Sequence, residues 1–159
     1  MDVEKFKTEA KNAEVAIKEV FNKLKKAPRR ELDNSIHALH EEAFEGINCL
    51  TCGNCCKTTS PIFYQKDIER LSKHFRIRPA DVIEKYLYLD SDNDYVLKNS
   101  PCPFLGNDNY CHVYESRPTA CREYPHTNRK RVYQILDLTA KNAVICPAVF
   151  YIYKKLLEG

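Results

Sequence analysis

Four of the chain's eight cysteines fall within eight residues, as Cys49-x-x-Cys52-x-x-Cys55-Cys56, and no other feature narrows the possible folds so sharply. Inert core cysteines behave as isolated small apolar groups, so thiols at this density need another reason to be together. They either pair as disulfides or share metal, and the redox compartment separates the two. The opening residues Met1-Asp2-Val3-Glu4-Lys5-Phe6-Lys7 carry charge where an export signal needs an uninterrupted apolar stretch. The most apolar late run, residues 143–153, contains Cys146 and Pro147 and falls short of the roughly 20 apolar residues that cross a bilayer. A cytoplasmic chain with no membrane partner is therefore expected, and in a reducing compartment its thiols read as metal ligands.

Thiolates are soft ligands that prefer zinc and iron–sulfur centres to hard cations, and four of them complete either a tetrahedral zinc site or a cubane cluster. Gly53 and Asn54 supply the tight backbone that turns neighbouring sulfurs toward one centre. The remaining thiols, Cys102, Cys111, Cys121 and Cys146, are spread through the second half, three of them beside turn or helix-end signals. Adjacent residues such as Cys55 and Cys56 tend to point apart, so two centres, or one polynuclear centre, fit better than a single ion. Cys49, Cys52 and Cys55 with the remote Cys146-Pro147 also match the three-plus-one ligation of cubane clusters, in which the fourth cysteine precedes a proline. All eight cysteines are expected to bind metal, as an iron–sulfur cluster, with 4Fe-4S preferred, or as zinc.

Around these ligands the sequence reads as mainly α with a small β hairpin, a single compact domain organised around the cysteine metal cluster. At 159 residues the chain has the size of one ordinary domain, and a content of 43% hydrophobic and 30% charged residues is that of a folded protein. Phe6, Ala10, Ala13, Ile17, Val20, Phe21 and Leu24 recur at three- and four-residue steps, which predicts one long helix ended by Pro28. A second helix is expected from about Glu31 to Phe44, with Gly46 as its cap. Residues 1–46 thus form an N-terminal helical segment and residues 47–159 the cysteine-cluster domain. Within the latter, helices are expected over residues 65–75, from Pro79 through Leu87, after a Ser116 cap with Pro118 in the first turn, and over residues 147–157. Tyr95-Val96-Leu97 reads as a strand, and Gly106-Asn107-Asp108-Asn109 as a hairpin turn between residues 103–105 and 110–114.

With these residues placed, the chain resembles the CxxCxxCC (YkgJ-like) cysteine-cluster family of zinc- or iron-chelating domains. The likeness runs from Cys49 to Pro147. Beyond the first motif it comprises Ser100-Pro101-Cys102-Pro103-Phe104-Leu105, then Cys111-His112-Val113-Tyr114-Glu115-Ser116-Arg117-Pro118, then Cys121-Arg122-Glu123-Tyr124-Pro125, and last Cys146-Pro147. The resemblance implies metal chelation, and the family includes flagellin N-methylases, in which such a cluster is linked to lysine methylation. Those methylases share only the cysteine domain with this chain and carry additional sequence. Within the matched blocks, Arg117 and Arg122 flank Cys121 and are expected to support the centre by offsetting thiolate charge.

Several other features read as ordinary structure. His112 and His126 are substitute ligands in principle, but with eight thiols at hand they read as turn or surface residues. His37 and His40, three apart on a helix, read as solvated or interhelical. Asp90-x-Asp92-x-Asp94 starts like a calcium loop but has Tyr95 at the sixth position and Pro101 at the twelfth, which rejects calcium. The basic runs at Lys23, Lys25, Lys26, Arg29, Arg30 and at Arg129, Lys130, Arg131 read as solvated faces, and a formal net charge of +3 is too mild to imply nucleic acid. Three functions follow for such a chain. It holds metal as part of its fold; it is a cluster-dependent enzyme, such as a protein methyltransferase with a small-molecule cosubstrate; or it carries or stores metal. No phosphate loop, dinucleotide fingerprint or paired acid–base motif supports the enzyme. A thiol-redox role ranks last, since these C-x-x-C steps lack a strand-to-helix setting.

Overall fold

The apolar stripe of the first 24 residues forms helix, but in two pieces. In the structure, a computed structural model that describes residues 2–159, the helices in chain order are α1 (Val3–Asn12), α2 (Glu14–Leu24), α3 (Arg29–Gly46), α4 (Cys49–Cys52), α5 (Asn54–Thr58), α6 (Gln65–Phe75) and α7 (Pro79–Tyr86), then, after the strands β1 (Leu87–Leu89) and β2 (Tyr95–Leu97), α8 (Thr119–Glu123), α9 (Leu136–Ala143) and α10 (Pro147–Glu158). Short 3₁₀ turns cover Tyr114–Ser116 and Val132–Ile135. The protein is mainly α with one small antiparallel hairpin. By its contacts the chain divides into two compact units, Met1–Cys52 with Pro125–Gly159, and Gly53–Tyr124.

In the first unit, α1 begins where Asp2 accepts the backbone N–H groups of Glu4 and Lys5 at 3.1 and 3.0 Å, occupying donors that a helix start leaves open. The helix breaks at Ala13, whose φ of −90° and ψ of 1° interrupt the ladder before α2 resumes. Phe6 and Ala10 of α1, Ile17 and Phe21 of α2, and Leu32, Ile36 and Ala43 of α3 are all buried, as the stripe predicts. Their counterpart is α10, in which Pro147, Ala148, Val149, Phe150, Ile152 and Tyr153 are buried, and Phe6 meets Phe150 edge-on at 5.5 Å. Fully burying one such side chain is worth about 1.5–3 kcal/mol. Among the described residues, no single helix is long and apolar enough to cross a membrane.

The loop after Pro125 is pinned to α3 through its backbone. Asp33 accepts the N–H groups of Arg131 and Val132 at 2.8 and 2.9 Å, the His37 ring donates to the Arg129 carbonyl at 2.7 Å, and His40 bonds the Thr127 hydroxyl at 2.7 Å. The two histidines of α3 therefore serve a helix–loop contact. Burial holds His40 below the usual histidine pKa, with His37 adding to the effect and Glu41 opposing it.

In the second unit, α6 and α7 bury Ile68, Leu71 and Val82 against Phe63, Leu87, Leu97, Phe104 and Val113. Strands β1 and β2 pair with Leu87 opposite Leu97, Tyr88 opposite Val96 and Leu89 opposite Tyr95. Tyr95 is a strand as expected, but its partner begins at Leu87, which the sequence pattern assigns to the end of α7. The apolar step Val82-Ile83-Tyr86-Leu87 suits either element, and pairing with Leu97 decides it. The hairpin turn is the acidic loop: Asp90 accepts the N–H groups of Asp92 and Asp94 at 2.9 and 3.0 Å, and Asn93 takes φ 61°. The turn at residues 106–109 also forms, yet it closes a single bridge, Leu105 to Cys111, rather than a pair of strands. Pro118, not Ser116, precedes the short helix α8, and Ser116 instead ends the 3₁₀ turn before it.

One buried carboxylate organises this unit. Asp67 is fully buried; it accepts the Tyr64 N–H at 2.9 Å, the Thr119 N–H and hydroxyl at 3.0 and 2.8 Å, and an Arg70 guanidinium N–H at 2.7 Å. Arg70 in turn donates to the carbonyls of Arg117 at 2.8 Å and Ser116 at 3.4 Å. Burial pushes the Asp67 pKa up, but these donors together outweigh it and hold the carboxyl below its usual range. Helix α6 is thereby fastened to the segment that leads into Cys121.

Candidate metal centre

The cysteine motif is built from two short helical turns. Helix α4 carries Cys49 and Cys52, α5 carries Cys55 and Cys56, and Gly53 between them sits at φ 58°, in the left-handed region that side chains other than glycine avoid. A Cβ at Gly53 would also come within 3.2 Å of the Asn109 Cβ. The boundary between the compact units falls inside the motif, between Cys52 and Gly53. Cys49, Cys52 and Cys146 thus belong to the first unit, and Cys55, Cys56, Cys102, Cys111 and Cys121 to the second.

In the second unit the Cys102 N–H donates to the Cys56 carbonyl at 2.8 Å, and the Ser100 hydroxyl donates to the Lys57 carbonyl at 3.1 Å. Two segments far apart in sequence are laid side by side in this way. Cys111 is brought to Cys102 by the Leu105 bridge, with the Leu105 N–H on the Cys102 carbonyl at 3.1 Å and the His112 N–H on the Phe104 carbonyl at 2.8 Å. Both thiols pack against the apolar core. Gly106 is needed in this turn because the His112 ring lies over it: a Cβ there would fall 2.5 Å from the His112 Nε2.

Electrostatics groups the sulfurs the same way. A hydrogen bond from the Cys55 thiol is the largest influence on Cys56 and, with the backbone and the Lys57 charge, lowers its pKa to about 7 against the opposing effect of burial. Burial raises Cys102 to about 11, and the charges of Cys56 and Cys111 add to the rise. Cys111 is raised by burial and by Cys56. Cys121, whose own surface is exposed, is raised by the desolvating protein around it and then by Cys56, Cys102 and Cys111. In the first unit, Cys146 is buried and pushed up to about 12, first by burial and further by Cys49 and Cys52.

Three of these thiols also face backbone N–H groups that favour the thiolate. The N–H groups of Phe104 and Leu105 point to Cys102, that of Val113 to Cys111, and those of Ala148 and Val149, in the first turn of α10, to Cys146. Arg117, stacked 3.9 Å above the Tyr114 ring and donating to the Tyr114 carbonyl at 2.7 Å, lowers the pKa of Cys111 and Cys121. Arg122 is exposed on α8. His126 takes φ 66° in the loop that follows α8.

This donor set suits a soft metal. Burial and neighbouring thiolate charge oppose ionisation of Cys102, Cys111, Cys121 and Cys146, and a cation placed among the sulfurs reverses the sign of the charge interaction. Backbone N–H groups aimed at sulfur spread the resulting negative charge. Among the described residues, however, no three His, Cys, Asp or Glu side chains converge closely enough to hold an ion as they stand. The sulfurs share an electrostatic neighbourhood without sharing a point.

Sequence reasoning named all eight cysteines but missed the Asp67–Arg70–Thr119 anchor, because a buried aspartate in an amphipathic helix looks like any other polar position. A family model, CxxCxxCC, described as a putative zinc- or iron-chelating domain, matches residues 48–147. No curated protein and no solved structure matches the chain.

Proposed function

The chain belongs to the CxxCxxCC family of zinc- or iron-chelating domains, and from that premise we propose that Cys49, Cys52, Cys55, Cys56, Cys102, Cys111, Cys121 and Cys146 hold iron as an iron–sulfur cluster, with a four-iron cubane preferred, or hold zinc. The observation that carries this reading is the family match over residues 48–147, within which all eight cysteines lie. Cys56, Cys102 and Cys111 each raise the pKa of Cys121, and Cys49 and Cys52 raise that of Cys146. Such groups of ionisable thiols oppose their own ionisation, and soft-metal binding is the chemistry that relieves it. Arg117 then offsets part of the thiolate charge, and Arg122 is assigned the same supporting part from its place beside Cys121. A reducing, cytoplasmic setting keeps the thiols available as ligands.

Elemental analysis, acid-labile sulfide and visible absorbance on anaerobically purified protein test this directly. Iron with matching sulfide and a charge-transfer band identifies a cluster; zinc without sulfide or colour identifies the zinc form; neither metal at stoichiometric level overturns the proposal. A metal carrier or store is the second reading, favoured by the exposure of Cys49 and Cys121, since a carrier must offer reachable thiolates. A coloured zinc chelator separates the two roles: metal retained over hours excludes a carrier. The enzymatic reading, methyl transfer with a small-molecule cosubstrate, is tested by calorimetry with S-adenosylmethionine, and no heat at millimolar ligand counts against it.

A further inference from the structure

We propose that the two basic runs, residues 23–30 and 129–131, form one ribbon within the first unit, and that this ribbon binds a single strand of nucleic acid along its phosphates. The proposal involves none of the cysteines and stands whether or not they hold metal.

In sequence each run is a short solvated stretch far from the other; 98 residues separate Asp33 from Arg131. The fold lays them side by side along α3. Arg29, Asp33 and His37 are spaced four residues apart, so they make one row on that helix. Each holds a successive point of the loop after Pro125, which runs the opposite way. The Arg29 guanidinium lies over the Tyr133 ring, 4.6 Å from its centroid; Asp33 accepts the Val132 and Arg131 N–H groups at 2.9 and 2.8 Å; the His37 ring donates to the Arg129 carbonyl at 2.7 Å. At about 1.5 Å per residue the row is about 12 Å long. An ion pair between Lys25 and Asp137 at 2.8 Å continues it past the end of α2. The loop is gripped by its backbone at Arg129 and Arg131, so the side chains of Arg129, Lys130 and Arg131 remain exposed. The cations that close α2 and open α3 are exposed as well.

The joined stretches are strongly charged although the chain as a whole is not. Residues 23–33 and 129–137 together carry eight Lys and Arg against three carboxylates, those of Glu31, Asp33 and Asp137. The formal net charge of +3 thus combines an excess of five positive charges here with a net −2 over the rest of the chain. Among the described residues, Lys25 is the one cation of the ribbon that forms an ion pair. Four of the eight are arginines, whose planar forks suit phosphate, and Arg29 over Tyr133 places a cation on an aromatic ring within the ribbon. Cations that track a backbone, with an aromatic or guanidinium platform for bases, are the elements of single-strand recognition. A row of about 12 Å covers roughly four phosphates at a spacing of about 3.4 Å. An anionic membrane fits less well, because neither stretch holds an exposed large apolar side chain to insert. An acidic polypeptide would use the same charges but has no base to lay on the Arg29–Tyr133 pair.

Fluorescence anisotropy tests this with the whole chain as purified and a labelled oligothymidylate of about twelve nucleotides. With roughly four phosphates neutralised and a slope of about −0.7 for each, affinity should fall about 50-fold between about 50 and 200 mM salt. This slope is read on the wild-type chain, so it tests the proposal independently of how any variant folds. Lys130→Glu combined with Arg131→Glu should weaken binding at least about tenfold at the lower salt. The control changes net charge equally outside the ribbon: Lys5→Glu combined with Lys11→Glu, both exposed on α1, should stay within about twofold of wild type. Circular dichroism checks that each variant is folded. No binding at the lower salt, a slope near zero, or equal weakening by the two double variants overturns the proposal. Tighter binding to phosphatidylserine vesicles or to polyglutamate than to the oligonucleotide also overturns it, and assigns the ribbon to that other anionic partner.

Discussion

Removing the Asp67 carboxylate should destabilise the protein out of proportion to the size of the change. Asp67 is fully buried and answers four donors: the Tyr64 N–H, the Thr119 N–H, the Thr119 hydroxyl and the Arg70 guanidinium. Asp67→Ala leaves all four without their acceptor. Breaking a buried ion pair from one side costs about 3–5 kcal/mol. The Arg70 side chain is 31% exposed and recovers water in the variant, so the lower end applies, about 3 kcal/mol. At about 2–4 °C per kcal/mol for a chain of this length, the midpoint should fall by roughly 6–12 °C. Asp67→Asn keeps the shape and one carbonyl acceptor but loses the charge, and should lie between wild type and alanine. Urea unfolding followed by circular dichroism, at one fixed Zn²⁺ concentration for every variant, measures the difference. A double-mutant cycle with Arg70→Ala isolates the pair: the two losses should be strongly non-additive, because removing Arg70 as well eliminates the stranded charge. Asp67→Ala within about 1 kcal/mol of wild type would refute the reasoning that this carboxylate anchors α6 to the Cys121 segment.

Metal removal should lower the melting temperature sharply, because binding free energy at sites assembled only by folding is also folding free energy; an unchanged melting curve after complete chelation would contradict this. Gly53→Ala should cost about 1–2 kcal/mol, since φ 58° is held against a side chain and the new Cβ meets Asn109, and thermal unfolding of the variant would show it. Acid should act in two stages. His40 has a pKa lowered by burial, so the stability of its neutral form is complete above the unfolded histidine value of about 6.5 and is lost as pH falls through the lower folded value. Asp67, also lowered, contributes in full above about 3.9, and that contribution disappears as pH drops through its own folded value. Ring chemical shifts of His40 against pH, with Thr127→Val as a control, should report the first stage; a pKa at or above 6.5 would contradict it.

Which atoms can do chemistry here, and where most of the helices run, follow from residue identity and local spacing. Cys49, Cys52, Cys55 and Cys56 declare soft-ligand chemistry through identity and spacing, which are local properties. The α3, α6 and α10 helices were legible for the same reason: the periodic burial of Leu32 and Ile36, or of Ile68 and Leu71, is written into three- and four-residue steps. What failed was whatever depended on a distant partner. Leu87 continues a helical pattern and becomes a strand because Leu97 is opposite it. The turn at residues 106–109 has hairpin chemistry but extends to a single bridge, while the acidic loop at residues 90–94 closes the true hairpin. Only tertiary structure could sort the eight sulfurs into neighbourhoods, since the forces that do so act through space: a backbone bond from Cys102 to Cys56, a buried aspartate holding the approach to Cys121, and α10 presenting its first N–H groups to Cys146.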